Sequence, residues 1–109
     1  MTYDKTLAQR MLVVLDLQPG LVIKNMFGGV AFMLQGNLAC GVLKDEMIVR
    51  VGPQRHQQAL SQPYTRPFDF SGHPMNGWIM VTPEGCKSDD EIQAWVQQGI
   101  DFALSLPAK

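Results

Sequence analysis

Cysteine is scarce in this chain. Cys40 and Cys86 are the only two, too few and too far apart for a zinc site or a disulfide framework. Cys40 lies in an apolar run and reads as a small core residue. Cys86 follows Gly85 in a loop and reads as an exposed thiol, with no basic or helical feature that obviously lowers its pKa. Histidine is equally scarce. His56 and His73 fall in separate segments with no second histidine at i+4, so neither carries a metal motif, and His56 reads as a helix-surface residue. No apolar run approaches the ~20 residues that a membrane helix needs. Met1-Thr2-Tyr3-Asp4-Lys5 lacks the basic start and apolar core of a signal peptide. No membrane association is expected, and a cytoplasmic location is. Excess charge of one sign is also missing. Nine basic and ten acidic residues leave a formal net charge of -1, which argues against a dominant nucleic-acid role, whose usual footprint is a strongly basic face, and still allows a local patch. Ser61, Ser71, Ser88 and Ser105 lie in no Gly-x-Ser-x-Gly elbow, and no phosphate-loop or calcium-loop spacing occurs. The chain is therefore read as a non-enzyme with no cofactor.

What the chain has is the material of one small core. Its 109 residues, 46% of them hydrophobic, fit a single domain spanning 1–109. The organising stretch is Lys24-Asn25-Met26-Phe27-Gly28-Gly29-Val30-Ala31-Phe32-Met33-Leu34-Gln35-Gly36-Asn37. Leu21 to Phe27 reads as a strand, and Gly28-Gly29 as a turn or bulge that exploits positive φ. Val30 to Gln35 reads as a second strand with Val30, Phe32 and Leu34 on one face. Gly36-Asn37 reads as a two-residue hairpin loop. Leu38 to Leu43 is a third strand, whose small residues Ala39, Cys40 and Gly41 indicate that something packs closely over them.

Around this core, Asp4 to Leu17 reads as a helix with Leu7, Met11, Val14 and Leu15 in one stripe, ended by Pro19-Gly20. Met47 to Val51 is a fourth strand, with Arg50 and Ile48 pointing away from Met47, Val49 and Val51. An arginine there is either solvated or ion-paired, or meets an anion. Pro53 to Leu60 reads as a short helix. Ser61 to Asn76, punctuated by Pro63, Pro67, Gly72 and Pro74, reads as an ordered loop that lays Tyr64, Phe68 and Phe70 on the sheet. Within it Arg66 is expected to pair with Asp69 or to meet a ligand, beside His73. Gly77 to Val81 is a fifth strand, with Trp78 either in the core or at a partner surface. Ser88-Asp89-Asp90-Glu91 is a capping box opening a long helix, whose apolar face runs from Ile92 to Leu106 before Pro107.

Lys24-Asn25-Met26-Phe27-Gly28-Gly29, the apolar strand after it and the Gly36-Asn37 turn resemble the signature of the TfoX/Sxy N-terminal domain. Met47-Ile48-Val49-Arg50-Val51, Pro67-Phe68-Asp69-Phe70-Ser71-Gly72-His73-Pro74-Met75 and Ala94-Trp95-Val96 extend the likeness over nearly the whole chain. The resemblance implies an α+β two-layer sandwich, a mostly antiparallel sheet of about five strands with an N-terminal, a short middle and a C-terminal helix, akin to secretion-chaperone folds. It also implies a bacterial regulator related to those of competence genes, acting with an activator of the cyclic-AMP-receptor type. The family's larger members carry a helical C-terminal domain, which does not follow here, so a stand-alone domain is expected. The leading expectation is a regulatory protein-interaction module that meets transcriptional machinery through a sheet edge or through the 61–76 segment with Arg50 and Arg66. One alternative is a pocket for a small anion gathering Lys24, Arg50, Arg66 and His73. Another is a weak nucleic-acid binder with Lys24, Arg50, Arg55, Arg66 and Lys87 on one face. A homodimer through an open sheet edge is also expected.

Overall fold

A computed structural model describes residues 3–26, 28–70 and 72–109, and only the backbone of Phe70, His73 and Pro74. In chain order the elements are α1 (Lys5–Leu15), β1 (Leu21–Met26), β2 (Gly29–Leu34), β3 (Asn37–Leu43) and β4 (Glu46–Arg50). A 3-10 turn (Pro53–Arg55) then leads into α2 (His56–Leu60), followed by β5 (Thr65–Phe70) and β6 (His73–Val81). A second 3-10 turn (Pro83–Cys86) precedes α3 (Asp89–Ser105). The strands form one antiparallel sheet in the order β1-β2-β3-β4-β6-β5. The architecture is the expected α+β one.

Alternation along the strands divides the sheet into two faces. Val30, Phe32 and Leu34 of β2, Val42 of β3, Met47 and Val49 of β4, and Ile79 and Val81 of β6 face the helices and are buried with Met11 and Leu15 of α1 and Ile92, Val96 and Ile100 of α3. Ala59 of α2 joins the same core, so all three helices lie on one side. Burying each large side chain contributes about 1.5–3 kcal/mol, which makes this cluster the main source of stability. Helix starts follow the sequence. The Asp4 carboxylate accepts the Leu7 N–H at 3.0 Å, and Ser88 and Glu91 form the expected reciprocal capping box. Arg10 then ties α1 to the start of α3 through Asp89 at 2.8 Å and the Lys87 carbonyl at 3.0 Å.

The glycines of the organising stretch have separate reasons. Gly28 sits at φ +78° between the paired ends Met26 and Gly29, as a two-residue hairpin requires. A side chain on Gly29 would strike the Val42 carbonyl oxygen on β3. Phe27 lies outside the described residues. The small residues of β3 do receive a close neighbour: Gly99 of α3 lies so near that a Cβ there would fall 2.3 Å from the Ala39 carbonyl oxygen.

Four expectations are corrected. The hairpin loop after β2 is Gln35-Gly36, at φ 53° and 85°, and Asn37 belongs to β3. Asn37 is drawn in because its buried amide donates to the Pro107 carbonyl at 2.9 Å. Within the 61–76 segment, Thr65–Phe70 is β5 and residues 73–76 begin β6, so much of it is strand where a loop was expected, and the strands number six among the described residues. Its prolines are tolerated because β5 is an edge strand and Pro74 stands near the start of β6. Cys86 is 5% exposed, because the second 3-10 turn folds it under β6 with Sγ 3.8 Å from the Val81 carbonyl oxygen. Burial pushes its thiol pKa up to about 11 and raises that of Cys40 as well. Arg66 does not pair with Asp69; its partner is Glu46, described below.

Two outcomes follow. Gly99→Ala forces α3 off β3 and is expected to lower stability by about 1–3 kcal/mol in chemical denaturation, against about 1 kcal/mol for loss of the cap in Ser88→Ala. Because both thiols are buried and held protonated, a thiol reagent at pH 8 should label neither in the native protein and both after denaturation.

Candidate functional site

The strand registers place the basic residues singled out in the sequence. On the face away from the helices, one row crosses the whole sheet: Lys24, Ala31, Gly41, Ile48, Met80 and Arg66. Lys24 and Arg66 therefore stand on opposite edge strands, about 24 Å apart along the sheet at the usual strand spacing. The structure does not bring them together. Arg66 is engaged at its own end, where its Nε and Nη2 donate to the two carboxylate oxygens of Glu46 at 3.0 and 3.1 Å. That hydrogen bonding raises the Arg66 pKa and leaves little charge for a ligand. The His73 side chain lies outside the described residues.

Arg50 is different. It ends β4 opposite Trp78 of β6, and its guanidinium lies between two rings. Its Cζ is 5.3 Å from the Trp78 ring centroid and 5.2 Å from that of Phe102 on α3. Trp78 in turn stacks on Phe68 of β5, with centroids 5.6 Å apart and planes 19° from parallel. The result is a stack of four side chains, Phe68-Trp78-Arg50-Phe102, running from the outer face of the sheet around its end to α3. Each cation–ring contact contributes about 0.5–2 kcal/mol depending on desolvation. Partial burial lowers the Arg50 pKa from its ordinary value, yet a guanidinium stays charged at neutral pH. Among the described residues no carboxylate lies within salt-bridge distance of it.

Beside this stack opens a cleft of about 360 Å³. Val51, Gly52 and Phe102 give it an apolar floor, and Arg55, Asp101 and Ser105 give it a polar rim. Its floor is held by backbone. The Gly77 carbonyl accepts both the Val51 N–H at 2.8 Å and the Gly52 N–H at 3.1 Å. The Gly77 N–H donates to Nδ1 of His56 at 2.9 Å. His56 is thus no mere surface residue, as the sequence led us to expect: its imidazole locks α2 to β6 and must carry its proton on Nε2 to do so. A side chain at Gly52, itself at φ +90°, would run into the Phe102 ring. Phe102 is the residue that sequence reasoning left unused. The signal for it was its place on the last turns of an amphipathic helix, but only the tertiary fold shows that it meets Arg50.

What the arrangement offers chemically is recognition. A cation with no carboxylate partner among the described residues, flanked by aromatic rings and near a cleft with an apolar floor, can take an anionic group and an adjoining apolar one. Among the described residues no group of three histidines, cysteines or carboxylates could hold a metal ion. No described helix is long and apolar enough to cross a membrane.

The two arginines should therefore respond differently to truncation. Arg66→Ala removes an exposed ion pair and is expected to cost about 0.2–1 kcal/mol, with the loss shrinking at high salt. Arg50→Ala unstacks two rings and should cost more, about 1–3 kcal/mol, with little salt dependence, when both are compared by urea denaturation.

Comparison with known proteins fits this framework. The chain matches the sequence model of the TfoX N-terminal domain over residues 14–103, from within α1 to near the end of α3. No curated protein and no solved structure matches it. The match takes in the Met26-Phe27-Gly28-Gly29 motif, Gly36 and Asn37, Arg50 and strands β5 and β6, and it covers most of the chain. This chain belongs to the TfoX N-terminal domain family.

Proposed function

We propose that this domain is a non-catalytic, regulatory protein-interaction module of the cytoplasm, and that it meets its protein partner at the Arg50 stack and the adjoining cleft. The observation that carries the reading is Arg50 itself: a half-buried guanidinium held between Trp78 and Phe102, with no carboxylate at salt-bridge distance among the described residues. Arginine and tryptophan are the residue types that most often dominate binding energy at protein interfaces, and they do so where neighbouring groups exclude water. The partner segment would place a carboxylate on Arg50 and an apolar side chain over Val51 and Phe102. The likeness to competence regulators directs the search for that partner toward transcriptional machinery. Nucleic acid alone is a poor fit, because Arg66 is neutralised by Glu46 and Lys24 lies at the far edge of the sheet.

The test is a pull-down from native lysate with tagged wild type, Arg50→Ala and Arg66→Ala, read by mass spectrometry, with circular dichroism confirming that each is folded. Retention of a specific protein by wild type and Arg66→Ala, and its loss at least tenfold in Arg50→Ala, is the expected outcome. Equal retention by all three forms would remove the Arg50 surface from consideration. A photo-crosslinking residue at Gln54, on the cleft wall, should capture the same protein.

A further inference from the structure

The two edges of the sheet are not alike. The β5 edge carries Pro67, a charged Arg66–Glu46 pair and a break in register between Pro67 and Asp69, all features that discourage further strand pairing. The β1 edge carries none of these. Its register with β2 runs unbroken from Leu21 opposite Leu34 to Met26 opposite Gly29. Its only charge is Lys24, and no element of the described chain lies outside it. Beside it is a groove between β1 and α1, lined by the apolar Leu12, Val13, Leu21 and Ile23 together with Gln9 and Asp16. Val13 is 77% exposed and Ile23 52%, unusual for large apolar side chains brought together on one surface.

From these observations we infer that β1 pairs antiparallel with β1 of a second copy of this chain, about a two-fold axis through Ile23. Backbone parity fixes the register. Met26 and Gly29 close a two-residue hairpin, and the Gln35 N–H reaches the Gly20 carbonyl at 3.3 Å, so alternate residues from Gly20 to Met26 bond inward to β2. Leu21, Ile23 and Asn25 therefore direct their N–H and C=O groups outward. An axis through Ile23 sets Ile23 against its own copy and Leu21 against Asn25, which engages all three outward residues on each strand. An axis through Lys24 would set two ammonium groups directly opposite, a repulsive arrangement. An axis through Leu21 or Asn25 would shorten the overlap. With Ile23 at the centre, Lys24 lies opposite Val22, and its aliphatic stem covers that exposed side chain. The two-fold axis stands perpendicular to the sheet, so both helical layers stay on one face. The two α1 helices then flank the axis and cover Val13 and Ile23. The product is a continuous twelve-stranded sheet, and the small net charge of each chain offers little opposition. This interface is separate from the Arg50 cleft.

The test is sedimentation velocity of the full chain across a wide concentration range. Wild type should sediment as a dimer that dissociates on dilution. Ile23→Pro deletes only an outward N–H, and Ile23→Lys puts two cations on the axis. Both should halve the mass while leaving the circular dichroism spectrum unchanged. If one variant misfolds, the other still decides. Ile23→Cys should form an intermolecular disulfide under mild oxidation, since hydrogen-bonded partners stand ~5.5 Å apart at Cα. Val22→Cys, diagonal to its own copy and out of reach, should not. The native thiols are buried and do not interfere. A wild type that stays monomeric, a dimer that survives both substitutions, or cross-linking through Val22→Cys instead of Ile23→Cys would each overturn the inference.

Discussion

A six-stranded sheet with helices on one face only must seal its other face with its own side chains. That constraint shapes the rest of this molecule. The helix side closes in the ordinary way, with α3 lying so close on β3 that only glycine fits at position 99. The other side has no helix to draw on. Ala31 and Gly41 keep its middle shallow, and Ile48, Met80 and Phe68 form a small second cluster, with Leu43, Met75 and Trp78 packed around it. The row ends in polar groups, Lys24 at one edge and the Arg66–Glu46 pair at the other.

The Arg50 stack grows out of this closure. Trp78 is a large ring on a shallow face, and it is covered by stacking on Phe68 and by the Arg50 guanidinium. Because Arg50 is the last residue of β4, its side chain reaches past the sheet to Phe102. Phe102, at the end of this stack, is also a lining residue of the cleft, so the side chains that finish the outer face lead to it. Arg50 thus couples the outer face of the sheet to α3, whereas Arg66 is held in an exposed pair with Glu46.

Much of the fold was legible in the sequence. The capping box at Ser88, the stripe of Leu7, Met11 and Leu15, and the alternation in β2 and β4 are local patterns that survive into the structure unaltered. The small residues of β3 announced the approach of α3. What was not legible depends on partners distant in sequence. Prolines in 61–76 look like loop punctuation until β5 is known to be an edge strand. Asn37 looks like a turn residue until its amide is seen to meet Pro107. Cys86 looks exposed because nothing local shows the turn folding it under β6. Arg50 could be singled out from its strand, but its rings come from β6 and α3, and no periodicity within one segment encodes that meeting.

The strand order carries a consequence for how the chain assembles. Every ladder but one joins strands adjacent in sequence, so β1 to β4 form a meander that needs only short turns to close. Such pairings are local and form quickly. The core is completed only by α3, where Gly99 meets Ala39 across about 60 intervening positions, a closure whose entropy is met late. Until that helix docks, α1 and α2 are the only helices available to cover the apolar side of the described strands. Synthesis from the N-terminus thus leaves the strands incompletely covered until α3 arrives, the interval in which such a chain is most open to aggregation or to a chaperone.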